Sequence, residues 1–89
     1  MMTVNYFREL IENGPYSWPG GYLVYFITSD GAALSFEAAE ENAASIEFSI
    51  REMVYDGWHV SAVAVNYENP GLYCDHTGKR IESAYCEEN

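Results

Sequence analysis

Residues 35–57 read SFEAAEENAASIEFSIREMVYDG, and this stretch decides the fold. Phe36, Ala39, Ala43, Ile46, Ile50 and Met53 recur at alternating steps of three and four, which places them in one apolar stripe along a helix. Ser35 is suited to cap its start, and Glu37, Glu40 and Glu41 occupy the first turns, where the helix dipole favours anions. Asp56-Gly57 ends the pattern. The spacing predicts an amphipathic helix of about 20 residues, roughly 30 Å long by its rise per residue. A stripe of that length needs an apolar surface to lie on.

The flanking segments supply one. Residues 22–28, YLVYFIT, form a strand that is apolar on both faces, as expected of a central strand covered by helix on one side or both. Ser29-Asp30-Gly31 is a turn signal, and Ala32-Ala33-Leu34 follow as a short return strand. Residues 58–67 predict a further strand, with Val60, Val63 and Val65 among small residues. Glu68-Asn69-Pro70-Gly71 turns the chain into a hairpin over residues 72–85, built around Asp75-His76-Thr77-Gly78, and residues 86–89 are expected to fray. Before the first strand, Val4–Asn13 predicts a short helix: Thr3 or Asn5 caps it, Val4, Phe7, Leu10 and Ile11 form its stripe, and Gly14-Pro15 stops it. The expectation is a single α+β domain over residues 1–89. Its long amphipathic helix packs on a small, mainly antiparallel sheet, and a short helix precedes both.

Composition narrows the function classes. The chain carries 14 acidic and 4 basic residues, a formal net charge of −10, while 48% of it is hydrophobic and 16% aromatic. Such aromatic content belongs to a folded body that wears its acids on the surface. A body of that charge repels nucleic acid and anionic membrane and attracts proteins with a basic groove. Four bases are too few for direct nucleic-acid binding. The first residues lack the basic and apolar regions of an export signal, and the apolar run at 22–27 is too short to span a bilayer, so a cytoplasmic location is expected. In that reducing compartment Cys74 and Cys86 are expected as thiols, with a disulfide between them as the alternative.

The carboxylates of the long helix are the first candidates for a site. With the apolar stripe turned inward, Glu37, Glu40, Glu41 and Glu47 take its flanks and outer face, and Glu52 and Asp56 extend the charge, with Arg51 as the one local base. A solvated helix face would look the same. The span from Glu37 to Glu47 covers about 15 Å, over which a DNA duplex shows about nine charges. Imitating a duplex therefore needs a second row, from Glu9, Glu12, Asp30, Glu68, Asp75 or Glu82. Tyr16 and Trp18, near Tyr6 and Tyr22, are candidate anchors for a protein partner unless Trp18 folds back onto the core.

Other motifs lead away from catalysis. Cys74-Asp75-His76-Thr77-Gly78 has the spacing of half a zinc knuckle, but a threonine hydroxyl is a poor zinc ligand, and the segment reads as a turn with a partly buried Cys74. His59 has no nucleophile or second acid–base group at a useful spacing. Adjacent carboxylates such as Glu40-Glu41 diverge, and Gly20-Gly21 precedes a strand instead of opening a helix. The expectation is a non-enzymatic protein without metal or cofactor.

In size, acidity and lack of catalytic or export signatures, the chain resembles the anti-CRISPR class, small proteins that phages and plasmids use against host defences. The resemblance implies a stoichiometric inhibitor that docks on a CRISPR effector where its lysines and arginines receive DNA or RNA. Under it, Glu37, Glu40, Glu41, Glu47, Glu52 and Asp56 pair with those bases, and Tyr16 and Trp18 anchor the contact. The expected partner is a basic nucleic-acid-binding protein or complex in the host cytoplasm. The alternative is a general interaction or regulatory module, including a homodimer, that uses aromatic or edge-strand surface.

Overall fold

The computed structural model describes residues 2–16, 21–69 and 71–83. The expectations for Trp18, for the tail at 86–89 and for a bond between Cys74 and Cys86 fall outside those residues. The elements run α1 (Val4–Asn13), β1 (Val24–Thr28), β2 (Ala33–Ser35), α2 (Phe36–Glu41), α3 (Ala43–Glu52) and β3 (Val60–Val65). The sheet is antiparallel throughout, in the order β2-β1-β3. This is the expected α+β architecture with an N-terminal helix. No helix among the described residues is long and apolar enough to cross a membrane.

Strand alternation decides where the core lies. Val24, Phe26 and Thr28 are buried on one face of β1, and the register sets Leu34 of β2 and Val63 of β3 on either side of Phe26. The Phe26 ring meets Phe7 of α1 edge-on at 5.5 Å and stacks on Phe36 of α2 at 6.2 Å. Both helices are thereby held on the same face. Their ends follow the sequence signals. Thr3 Oγ1 accepts the Tyr6 N–H, Ser35 Oγ accepts the Ala38 N–H, and Gly14, at φ 88°, closes α1. The β1–β2 turn forms at Ser29-Asp30-Gly31: the Thr28 hydroxyl donates to Asp30 Oδ1, the Ala32 N–H donates to the same oxygen, and Gly31 has φ 85°. Those two donors hold the Asp30 carboxyl below its ordinary pKa, the Thr28 hydroxyl contributing most.

The expected long helix is broken once. Asn42 leaves helical geometry at φ −113° and ψ 25°. Its side-chain Nδ2 donates to the Ala38 carbonyl at 2.9 Å, the oxygen its own backbone N–H also uses at 3.1 Å. A short amide side chain that competes for the i−4 carbonyl disturbs the ladder there. The apolar stripe survives the break as far as Ile50, with Phe36, Ala39, Ile46 and Ile50 buried and Ala43 half-buried.

Met53 does not continue the stripe. It sits past the end of α3 in the left-handed region, φ 55° and ψ 42°, and is 57% exposed. The Val54 N–H donates to Ser49 O at 2.9 Å and the Met53 N–H to Ile50 O at 3.3 Å, the two bonds of a Schellman closure. His59 Nδ1 lies 3.1 Å from Ser49 O and 2.9 Å from Val54 O. Facing two carbonyls, this nitrogen carries the proton and donates. The chain is thus turned sharply out of α3 and into β3.

After β3 the chain returns to the far edge of the sheet. The Asp75 N–H donates to Ala33 O at 2.8 Å and the Ser35 N–H to Cys74 Sγ at 3.3 Å, so residues 74–75 close the edge of β2. The expected hairpin is present in reduced form. One bridge, Tyr73 to Arg80, and the Cys74–Lys79 and Leu72–Ile81 backbone bonds hold it around Gly78. The buried Asn66 amide ties it down by donating to Asn69 O and Ile81 O.

A non-glycine residue in the left-handed region costs roughly 1–2 kcal/mol. Met53→Gly is therefore expected to raise stability by about 0.5–1 kcal/mol, the glycine's extra unfolded-state entropy offsetting part of the gain. Urea unfolding of both proteins measures it. An unchanged or lowered midpoint would mean that Met53 makes compensating contacts.

Candidate functional site

The six residues of α2 divide by angle. Phe36, Ala38 and Ala39 are buried against the sheet, and Glu37, Glu40 and Glu41 are exposed on the opposite side. Their i, i+3, i+4 spacing makes them neighbours on one helical face, where like charges destabilise by about 0.2–0.5 kcal/mol per pair. α2 itself contains no base to relieve them.

The packing of Phe7 and Phe36 on Phe26 brings the end of α1 beside the start of α2. Between them runs an open groove of about 570 Å³. Glu12 of α1 and Glu37 and Glu40 of α2 line it, Leu23 and Phe36 contribute apolar surface, and Lys79 and Arg80 belong to the same lining. This is one member of the second row that the sequence required: Glu12 joins Glu37 and Glu40 from a different helix. The groove is therefore bipolar, with three carboxylates and two bases.

The remaining predicted carboxylates serve other purposes. Glu47 is not on the outer face. Its side chain is 19% exposed, and Oε1 accepts from Arg8 Nη2 at 2.8 Å and Nε at 3.0 Å, binding α3 to α1. The Glu47 hydrogen bond holds the Arg8 guanidinium above its ordinary pKa. Glu52 is exposed, 3.5 Å from Arg51, which also lies over the Phe48 ring. Asp56 is exposed, but its Oδ1 accepts from the Ser49 hydroxyl at 3.0 Å and the Trp58 N–H at 2.9 Å, bracing the turn after α3. Glu52 closes α3, at the opposite end of that helix from the break at Asn42 that follows Glu41. The structure thus brings together Glu37, Glu40 and Glu41, adds Glu12, and does not bring Glu47, Glu52 or Asp56 to them.

Tyr16 is exposed and bridges to Leu23, bordering a different groove on the β1–β3 side of the molecule. Tyr55 is exposed too and stacks on the His59 ring at 4.6 Å, while Trp58 meets the His76 ring edge-on at 5.0 Å. The sequence offered Glu12 only as one of six acids for a second row, and the Arg8–Glu47 pair had no signature there, since only tertiary packing relates residues 12 and 37 or 8 and 47.

Cys74 is a buried free thiol, 1% exposed, with its sulfur against the edge of β2. Burial pushes its pKa up, but the Ser35 N–H and the hydroxyl and N–H of Thr77 aim at the sulfur and outweigh it, bringing the thiol from 9.0 down to about 7. The knuckle-like spacing from Cys74 to Thr77 therefore works within the protein: it turns the chain so that Thr77 donates to the sulfur. Compared with protein-family models, with curated proteins and with solved structures, the chain matches none.

The Cys74 thiol titrates lower in the fold than in the unfolded chain, so the unfolded state binds the extra proton between the two values. Stability is expected to rise as pH goes from about 7 to about 9, and to be lost as pH falls through about 7. The gain should be on the order of 1–2 kcal/mol. Urea unfolding at both ends of that window, for wild type and Cys74→Ala, reads it out. The rise should vanish in the variant; an equal rise in both would place its source elsewhere.

Proposed function

We propose that the protein is a stoichiometric, non-catalytic inhibitor of a basic nucleic-acid-binding partner, of the anti-CRISPR kind, and that it competes with DNA or RNA through the acidic rim formed by Glu12, Glu37, Glu40 and Glu41. The observation that carries this reading is the convergence of Glu12 with Glu37 and Glu40 on one groove from two helices. Carboxylates held together at a cost to α2, beside a cleft with apolar surface, suit guanidinium and ammonium groups that arrive with part of their own side chains to bury. The net charge of −10 steers such a partner from a distance. The rim is too short to imitate a duplex along its length: Glu37 to Glu41 spans about 6 Å of helix. The reading is therefore occupation of a basic pocket or channel mouth. Lys79 sets register in this scheme, meeting an acidic or carbonyl group that flanks the partner's bases.

The test is displacement of a labelled duplex from purified RNA-guided effector complexes, titrated with wild-type protein and with the Glu37→Lys, Glu40→Lys, Glu41→Lys triple variant. Wild type should displace the duplex, with an affinity that weakens steeply as salt rises, and the variant should lose about 10- to 100-fold. A variant that displaces as well as wild type would refute the acidic rim. Effectors that all keep their duplex would refute the partner class.

A further inference from the structure

The two edges of the sheet are finished differently. The Thr28 N–H donates to Ala32 O, so Thr28, and by alternation Phe26, turn their backbone groups toward β2. Leu34 answers Phe26 from β2, which leaves Ala33 and Ser35 facing outward. Those outward groups are occupied, Ala33 O by the Asp75 N–H and the Ser35 N–H by Cys74 Sγ. The same alternation turns Tyr25 and Ile27 toward β3, where they pair with Ala64 and Ala62. Val63 and Val65 therefore direct their N–H and C=O groups away from the sheet, and among the described residues these groups have no backbone partner.

Beside this edge lies a groove of about 620 Å³ whose lining includes Leu10, Tyr16, Val24, Val63 and Val65 and holds no Asp, Glu, Lys or Arg. β3 itself, VSAVAV, has neither charge nor proline. Exposed edges are normally blunted by lysine, proline or a covering segment, and a bare one is a template for another strand. We propose that β3 is a self-association edge. Two copies pair their β3 strands antiparallel about a twofold axis at Val63, joining two three-stranded sheets into one of six strands and bringing the two neutral grooves together.

Charge selects this occupant. A basic partner finds nothing to pair with in a lining without acids, and its place is the rim described above. A second copy, itself at −10, meets no carboxylate in this groove, and what opposes its approach is the long-range field, which salt removes. The strand is also close to symmetric about Val63. In antiparallel self-pairing Ala62 stands opposite the partner copy's Ala64, so small residues meet small ones, and the two Val63 residues exchange both backbone hydrogen bonds. The register shift between Ile27 and Thr28 limits the flat part of the edge to its Val65 end.

The inference stands independently of the acidic rim, because salt moves the two in opposite directions. Sedimentation velocity of the full chain under reducing conditions, from micromolar to millimolar protein, tests it. Dimer should form with concentration, and its dissociation constant should tighten at least about tenfold between about 0.01 M and 0.15 M salt, as the screening length falls from about 30 to about 8 Å. Ser61→Glu sets a charge opposite the partner copy's Val65 from an exposed position, and Val63→Pro removes an outward N–H without touching the β1 ladder. Both should sediment as monomers with an unchanged far-UV circular dichroism spectrum. If Val63→Pro fails to fold, Ser61→Glu decides alone. A wild type that stays monomeric in every condition overturns the proposal, as does a dimer that weakens with salt or persists in a folded variant.

Discussion

Phe26 sets the geometry of this molecule. It is fully buried at the centre of the middle strand, and its ring holds Phe7 of α1 and Phe36 of α2 at once. Truncating such a ring to alanine typically costs 3–5 kcal/mol, a large fraction of the stability of a domain this small. More than stability rests on it. Because both helices are seated on one ring, the end of α1 lies beside the start of α2, and Glu12 reaches the same groove as Glu37 and Glu40. The candidate site follows from the core.

Eight of the 14 acidic residues fall into three groups. Some are internal fittings: Glu47 clamps Arg8, Asp56 braces the turn after α3, and Asp30 closes the first hairpin. Glu52 lies beside Arg51 at the exposed end of α3. Glu37, Glu40 and Glu41 are gathered on one face of α2, where their mutual repulsion is a cost, with Glu12 lining the same groove, and such a cost at a surface is what a binding role would explain. The surfaces are correspondingly sorted. One groove is acidic with two bases in its lining, and another is neutral and runs along a strand edge that has no backbone partner among the described residues. A chain of net charge −10 thus keeps its β3 strand free of charge.

Much of this was legible in the sequence, for local reasons. Thr3, Gly14, Ser35 and Ser29-Asp30-Gly31 act within a few residues of themselves, and each does in the structure what its chemistry suggests. Apolar periodicity likewise found β1, β3 and the stripe from Phe36 to Ile50. The failures have physical causes. Asn42 fits the helical period as a surface residue, so nothing in the pattern reveals that its amide takes the Ala38 carbonyl. Met53 fits the stripe, yet it takes a left-handed position usually given to glycine. The acidic face was misjudged where tertiary contacts intervene. Glu47 looked like its neighbours in α2 until Arg8, 39 residues away, was placed beside it. The spacing of Cys74 and Thr77 announced a turn, but not that its sulfur would serve as a hydrogen-bond acceptor on the edge of a sheet.

If Glu12, Glu37, Glu40 and Glu41 act as one site, they respond together to a basic ligand. Amide chemical-shift mapping during titration with an arginine-rich peptide, at low salt and again at high salt, tests it most directly. Perturbations are expected to concentrate at Glu12, Glu37, Glu40 and Glu41 and along their groove, saturating together and collapsing at high salt, while Val63 and Val65 stay still. Shifts spread evenly over all the acidic residues, or centred on Glu52 and Asp56, would contradict it.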